Sequence, residues 1–117
     1  MSTHPNAMLL LALTPDDLAR KTYRAILDEE GIGADDNVKI GDKDYWHGVM
    51  EDEYNDSRQI ALPDGTIYLA DLVTYGYGEK IGWDALVAQK AALDEWAIGI
   101  CQRHHCKADV FISANYW

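Results

Sequence analysis

Residues 83–105 decide the fold and read WDALVAQKAALDEWAIGICQRHH. Their apolar side chains recur at helical spacing, which predicts a helix from Trp83 to His104 or His105. A consistently polar strip comes from three residues alone: Asp84, Glu95 and Gln102. A helix that is apolar over most of its circumference needs more than one neighbour. In a chain of 117 residues, that neighbour is expected to be a second subunit, so we predict a homodimer or higher oligomer.

The end of this segment holds the densest group of reactive side chains, Cys101-Gln102-Arg103-His104-His105-Cys106. Thiols and imidazoles bind zinc, but a structural site needs four ligands and no CxxC or HxxxH pair is present. We therefore assign no metal or cofactor and expect Cys101 to be a small core residue. The spacing alone leaves metal binding by Cys101, His104, His105 and Cys106 open. A helix through both cysteines would turn them about 140° apart, which argues against a disulfide.

The segment Tyr75-Gly76-Tyr77-Gly78 interrupts the chain before this helix. Glycines let a backbone approach a ligand, and tyrosines offer flat amphipathic surface. Tyr75, Tyr77 and Trp83 are therefore candidate residues of a ligand-binding cleft. A P-loop is excluded because no Gly-Lys-Ser/Thr follows the glycines.

Two pairs of strands are predicted in the middle of the chain. Pro63-Asp64-Gly65 is a turn sequence, and it predicts a hairpin between Gln59–Leu62 and Thr66–Leu69. An alternative ends the second strand near Tyr68 and begins a helical turn over residues 69–74. Val38–Ile40 and Tyr45–Met50 are the other predicted strands, joined by a turn at residues 41–44.

Tyr45-Trp46-His47 is a second candidate region for the cleft. Strand alternation puts Tyr45 and His47 on one face and Trp46 on the other. An enzymatic interpretation makes His47 an acid–base group beside Asp44 or Glu51.

The N-terminal part contains the strongest local helix signal. Thr14 is a good N-cap, Pro15 fits the first helical position and Gly31 suits the C-terminal stop. These signals predict an amphipathic helix over residues 15–30. The apolar run Leu9–Leu13 before it is either a buried strand or a helical lead-in.

The chain ends in a predicted strand, Asp109–Ala114. If Leu9–Leu13 is also a strand, the order is βαββαβ, as in a ferredoxin-like arrangement. The prediction is an α+β fold, with two main helices packed on one face of a small, mostly antiparallel sheet. Residues 1–6 are expected to be a flexible tail and residues 7–117 a single compact domain.

The charge balance restricts the partners. Ten Lys+Arg stand against twenty Asp+Glu, a formal net charge of −10, which argues against nucleic acid as the main partner. No stretch approaches the roughly 20 apolar residues of a membrane span. No basic leader segment is evident and only two cysteines are present, so a cytoplasmic location without a membrane partner is expected.

The leading functional expectation is a non-enzymatic domain that binds a small ligand or acts as an accessory or interaction protein. It would be oligomeric and carry an aromatic-lined cleft formed by Tyr45, Trp46, His47, Tyr75, Tyr77 and Trp83. One alternative is a small enzyme, with or without a metal ion, that uses His47 or His104 as its acid–base group. The other is an acidic protein that binds a basic partner with steep salt dependence. Its carboxylates would be Asp35, Asp36, Asp42, Asp44, Glu51, Asp52, Glu53 and Asp56.

Overall fold

The computed structural model describes residues 5–16, 22–33, 35–50, 60–75 and 80–116. In chain order, the elements are β1 (Pro5–Pro15), α1 (Tyr23–Glu29), β2 (Val38–Ile40), β3 (Lys43–Val49), β4 (Ile67–Tyr75), α2 (Trp83–His104) and β5 (Cys106–Tyr116). The predicted α+β class with two helices is confirmed. β1 begins at Pro5, so the last two residues of the segment predicted as a tail belong to this strand.

The strands form one sheet in the order β2-β3-β4-β1-β5. Every neighbouring pair is antiparallel, as predicted. The predicted ferredoxin-like order is not confirmed, because the strand order is β2-β3-β4-β1-β5, with five strands in the sheet.

The apolar run of β1 explains its central position between β4 and β5. Leu9, Leu11 and Leu13 are buried on one face of the sheet, while Met8 and Leu10 are buried on the other. A strand that is apolar on both faces needs cover on both sides. The ambiguity over residues 9–13 is therefore resolved in favour of a strand.

The two faces of the sheet have separate cores. On one face, strand side chains pack with residues of both helices, including Ile26 and Leu27 of α1 and Leu93 and Ile100 of α2. On the opposite face, the described residues of the connection from β3 to β4 pack against the strands. The described residues of this second core are Met8, Leu10, Ala12, Met50, Ile60, Leu62, Tyr68 and Ala70, with Trp46 and Phe111 packed against them.

The first helix is shorter than predicted, and its predicted N-cap is wrong. Thr14 and Pro15 continue β1 and pair with Lys107 and Cys106 of β5. α1 begins at Tyr23, with the side chain of Thr22 accepting a hydrogen bond from the backbone N–H of Ala25 at 3.4 Å. Because Thr14 and Pro15 pair with β5, β1 continues through residues whose local sequence favours the start of a helix. Residues 17–21 of the predicted helix lie outside the described part.

The hairpin predicted around Pro63-Asp64-Gly65 is also wrong, although the turn itself is present. The backbone N–H of Thr66 donates to the carbonyl of Pro63 at 3.1 Å, and Gly65 has a φ of 84°. Residues 60–62 are not a strand; Ile60 and Leu62 pack into the second core instead. β4 pairs with β3 and β1, and it runs to Tyr75, so the alternative helical turn over residues 69–74 is wrong too.

The long helix has its predicted bounds. Its buried residues are Leu93, Ala97, Ile100 and His104, which leaves its N-terminal half less covered. Three large apolar side chains of the helix are exposed: Trp83 by 74%, Val87 by 48% and Ile98 by 59%. Among the described residues, no helix is both long enough and apolar enough to cross a bilayer.

Candidate functional site

A cleft of about 370 Å³ lies between the β2–β3 hairpin and the N-terminal half of α2. Its helix side is made of small residues, Ala85, Ala88 and Ala92, so that the helix leaves space above the hairpin. Gly41 forms the hairpin turn with a φ of 64°, a conformation that favours glycine. The other lining residues are Ile40, Asp42, Lys43, Tyr45 and Gln89.

The floor of this cleft carries a charged pair. Lys43 Nζ lies 3.4 Å from Asp71 Oδ2, an ion-pair distance, although the two are not aligned as a hydrogen bond. Burial, together with the charge of Asp71, raises the pKa of Tyr45 to about 12. Tyr45 is 1% exposed, so its hydroxyl remains protonated and available as a hydrogen-bonding group at neutral pH.

Three polar atoms of the cleft and of the adjoining strands β3 and β4 are buried without a hydrogen-bond partner in the described part of the chain. They are Gln89 Oε1, Asp71 Oδ2 and His47 Nε2. Gln89 lines the cleft itself. His47 follows Tyr45 by two residues in β3 and stands opposite Leu69, so it shares a sheet face with Asp71 two residues farther along β4. An unsatisfied buried polar group costs about 1–3 kcal/mol, and a bound polar molecule would remove that cost.

The structure brings only part of the predicted aromatic cleft together. Tyr45 and His47 share the helix-covered face. Trp46 lies on the opposite face, where its ring meets Tyr68 edge-on at a centroid distance of 5.5 Å. Trp83 begins α2 and is largely exposed. The side chain of Tyr75 and all of Tyr77 lie outside the described residues.

Sequence reasoning missed Lys43, Asp71 and Gln89. Asp71 had a usable signal, because it is a lone carboxylate within the otherwise apolar strand segment 67–73. A charged residue in such a strand is seldom buried without a partner. Gln89 had no comparable signal, since glutamine is common on exposed helix faces.

A second polar cluster joins the ends of the two helices. His104 Nε2 lies 2.6 Å from Glu30 Oε1, and His104 Nδ1 lies 3.3 Å from Glu29 Oε2. Arg103 donates to both carboxylate oxygens of Glu30, at 2.8 and 3.0 Å. These hydrogen bonds from Arg103 lower the pKa of Glu30, with a smaller contribution from His104. The His104 side chain is 3% exposed, so these contacts lie buried where the ends of the two helices meet.

The two cysteines form a third group. Their sulfur atoms lie 3.2 Å apart, and both thiols are free. The expectation that they face apart is wrong because α2 ends at His104. His105 then adopts a left-handed conformation, with a φ of 53°, and turns the chain back. Burial raises the pKa of Cys106 to about 12, and the contact with Cys101 contributes less in the same direction.

The described residues bear on two of the alternative interpretations, metal binding and an acidic surface. Within those ranges, no group of three or more His, Cys, Asp or Glu side chains could hold a metal ion. Asp35, Asp36, Asp42 and Asp44 are exposed. The remaining carboxylates of the predicted acidic surface, Glu51, Asp52, Glu53 and Asp56, fall outside the described residues.

Comparison of the chain with protein-family models, with curated proteins and with solved structures gave no match. Since a fold by itself does not define an activity, the chemistry of the site has to indicate the function.

Proposed function

We propose that this chain is a non-enzymatic binding domain that holds a small polar molecule in the cleft between the β2–β3 hairpin and α2. The observation that carries the proposal is the buried Gln89 Oε1, which lines the cleft and has no hydrogen-bond partner in the described part of the chain. Asp71 Oδ2 also lacks an aligned hydrogen bond and lies 3.4 Å from Nζ of the lining residue Lys43. Ligand pockets typically combine an apolar lining with a few convergent polar groups. The alanines of α2 supply the apolar wall, and β3 and β4 supply the polar floor.

The charges of the floor indicate the class of ligand. Gln89 Oε1 and Asp71 Oδ2 are acceptors, which favours a ligand that brings N–H donors. Lys43 adds a cation 3.4 Å from Asp71, which favours an anionic group on the same ligand. A small zwitterion with an ammonium and a carboxylate group, such as a free amino acid, meets both requirements. The volume of about 370 Å³ is at the small end of ligand pockets.

Isothermal titration with the twenty free amino acids, one at a time, tests this proposal. We expect at least one of them to bind the wild-type chain. Gln89→Ala should weaken that binding about tenfold, which corresponds to about 1.4 kcal/mol for one lost hydrogen bond. Gln102→Ala is the matched control, because Gln102 is an exposed glutamine of the same helix, and it should leave the affinity unchanged.

Two results would contradict the proposed function. One is the absence of a heat signal for all twenty probes. The other is binding that Gln89→Ala and Gln102→Ala affect equally, since the site would then lie elsewhere.

We further infer that a second copy of the chain covers the exposed stripe of α2. Trp83, Val87 and Ile98 lie on one side of the helix, at i, i+4 and i+15. Antiparallel packing of two such helices would place Trp83 of one copy against Ile98 of the other. The stripe is thus complementary to itself, which a two-fold interface requires.

We also infer that four of the strands form a ferredoxin-like unit with β2 added at its edge. Apart from β2, the order β3-β4-β1-β5 has two helical connections that each pass over one strand. α1 links β1 to the β2–β3 hairpin across β4, and α2 links β4 to β5 across β1. A helical connection that passes over one intervening strand is the feature of a split βαβ arrangement.

A further inference from the structure

The cysteine pair stands apart from the cleft, at the junction of α2 and β5. Cys101 belongs to the last turn of α2, and Cys106 is the first residue of β5. Their sulfur atoms are 3.2 Å apart, so they need to approach by little more than 1 Å to reach the length of a disulfide bond. The left-handed turn at His105 makes this approach possible between residues only five apart in sequence.

The two thiols differ in their access to solvent. Cys101 is half-buried and lines an open depression of about 380 Å³ between α2 and β5. The walls are mainly apolar, with Ile98 on one side and Val110 on the other, and Asp94 at the rim. Cys106 is only 7% exposed and does not line this depression. In the single chain, a small molecule can therefore reach Cys101 before Cys106.

We propose that Cys101 and Cys106 form a thiol–disulfide exchange site for small disulfide compounds, with Cys101 as the attacking thiol and Cys106 as the resolving thiol. Neither cysteine belongs to the proposed ligand cleft, so this inference goes beyond the proposed function and does not depend on it.

The exchange takes place in two steps. Cys101 loses its proton to solvent, and its thiolate attacks one sulfur of the disulfide RSSR. An S–S bond forms between Cys101 Sγ and the attacked sulfur, the S–S bond of RSSR breaks, and its other sulfur leaves as RS⁻, which takes up a proton. Cys106 then loses its proton, its sulfur attacks Cys101 Sγ, and the second RS⁻ leaves and is protonated. The protein dithiol is oxidised by two electrons, and RSSR is reduced to two RSH.

The environment of Cys106 supports this order of events. Burial disfavours its thiolate, and its pKa is raised to about 12, so it is a poor nucleophile toward an external reagent. Once Cys101 carries the R group, the sulfur of Cys106 is already adjacent to the bond that it must break. The resulting disulfide would tie the last turn of α2 to the start of β5.

Oxidised glutathione is the probe for the test. The full-length wild-type chain is incubated with it under native conditions, quenched in acid, and examined by intact mass and peptide mapping. We expect a product that has lost two hydrogen atoms, contains a Cys101–Cys106 disulfide and carries no glutathione. Three results would overturn the proposal: stable glutathione adducts as the end product, disulfides only between chains, or two thiols that stay reduced in the native chain but react in denaturant.

Two substitutions separate the roles of the thiols. Cys106→Ser should accumulate a single glutathione adduct on Cys101, because the resolving thiol is absent. Cys101→Ser should react at least tenfold more slowly than Cys106→Ser under native conditions. Equal rates for the two variants would contradict the assignment of roles. The wild-type mapping remains decisive if either variant fails to fold.

Discussion

Glu30 joins the ends of the two helices, and the loss of its side chain should destabilise the fold. It accepts hydrogen bonds from Arg103 and lies 2.6 Å from the buried ring nitrogen of His104. Glu30→Ala would remove these contacts with Arg103 and His104, and we expect a loss of about 1–3 kcal/mol in the free energy of unfolding. Urea denaturation at pH 7 measures it. Asp94→Ala, which removes an exposed pair with Lys90 at 2.7 Å, should cost about 0.5 kcal/mol or less.

The same carboxylate predicts a dependence of stability on pH. The pKa of Glu30 in the folded chain is lowered from its ordinary value of 4.5, mainly by the hydrogen bonds from Arg103. A depressed folded-state pKa means that the carboxylate stabilises the fold fully above pH 4.5 and progressively less as the pH falls through the folded-state pKa. Glu30→Gln should therefore flatten this acid limb of a stability–pH profile. An unchanged acid limb in that variant would show that Glu30 does not contribute through its charge.

Gly48 provides a test of close packing between two strands. A Cβ atom at this position would lie 2.5 Å from Cζ of Tyr68, the residue opposite it in β4. Gly48→Ala must displace the Tyr68 ring from its contact with Trp46, and we expect a cost of about 1–3 kcal/mol. Gly99→Ala is the control, because its Cβ would meet only the far end of the flexible Arg103 side chain. That change should be neutral or stabilise α2 by up to about 1 kcal/mol. In thermal melts, Gly48→Ala should therefore lower the melting temperature, whereas Gly99→Ala should leave it unchanged or raise it.

At the element scale, the end of α2 depends on an unfavourable backbone conformation. His105 has φ 53° and ψ 59°, and its N–H closes the helix by bonding the carbonyl of Cys101 at 3.0 Å. Glycine adopts this conformation more easily, so His105→Gly should raise stability by about 0.5–1 kcal/mol. His105→Val should lower it by about 1–2 kcal/mol, because a β-branched residue strongly disfavours the left-handed region. Urea denaturation measures the stabilities, with excess reductant so that the cysteines stay reduced. Equal stability of the valine and glycine variants would contradict this prediction.

The elements that sequence predicted well are those whose pattern extends over many residues. The helix over residues 83–104 and the strand at residues 38–40 have the bounds that their residues predicted. The N-terminus of α1 was misjudged because Thr14 and Pro15 carry a local cap signal, whereas the deciding interaction is their pairing with β5, about ninety residues away in sequence. Local patterns carry no information about a partner at that distance.

In the candidate site, too, local patterns were predictable and distant pairing was not. Strand alternation placed Tyr45 and His47 on one face and Trp46 on the other, and the structure has this arrangement. The convergence of β4 and α2 on that face could not be predicted, because the assumed hairpin paired the strand at residues 66–69 with residues 59–62. Once β4 pairs with β3 instead, Asp71 reaches Lys43 and the polar floor is complete.

Across the whole molecule, α2 connects the two proposed sites. Its first half lies beside the β2–β3 hairpin and forms the wall of the ligand cleft, while its last turn lies beside β5 and carries Cys101. The fully buried residues of α2 begin at Leu93, whereas Leu86 and Ala92 before it are only partly buried against the core, so the first half of the helix is less deeply packed than the second. Ligand in the cleft should therefore add stability mainly to the first half of α2, and amide hydrogen exchange of residues 84–92 would report it.

The exposed stripe of α2 predicts self-association. Trp83, Val87 and Ile98 are each about half exposed or more, and a second copy would remove them from water. Two chains of net charge −10 repel each other, so the dimer should become tighter as salt is added, whereas binding of a basic partner should weaken. Ile98→Glu should weaken dimerisation at least tenfold in sedimentation experiments. Gln102→Glu adds the same charge at an exposed site outside the stripe and should have a smaller effect. A wild-type chain that sediments as a monomer at every salt and protein concentration would exclude this interface, and the apolar stripe would then have to be covered by another partner.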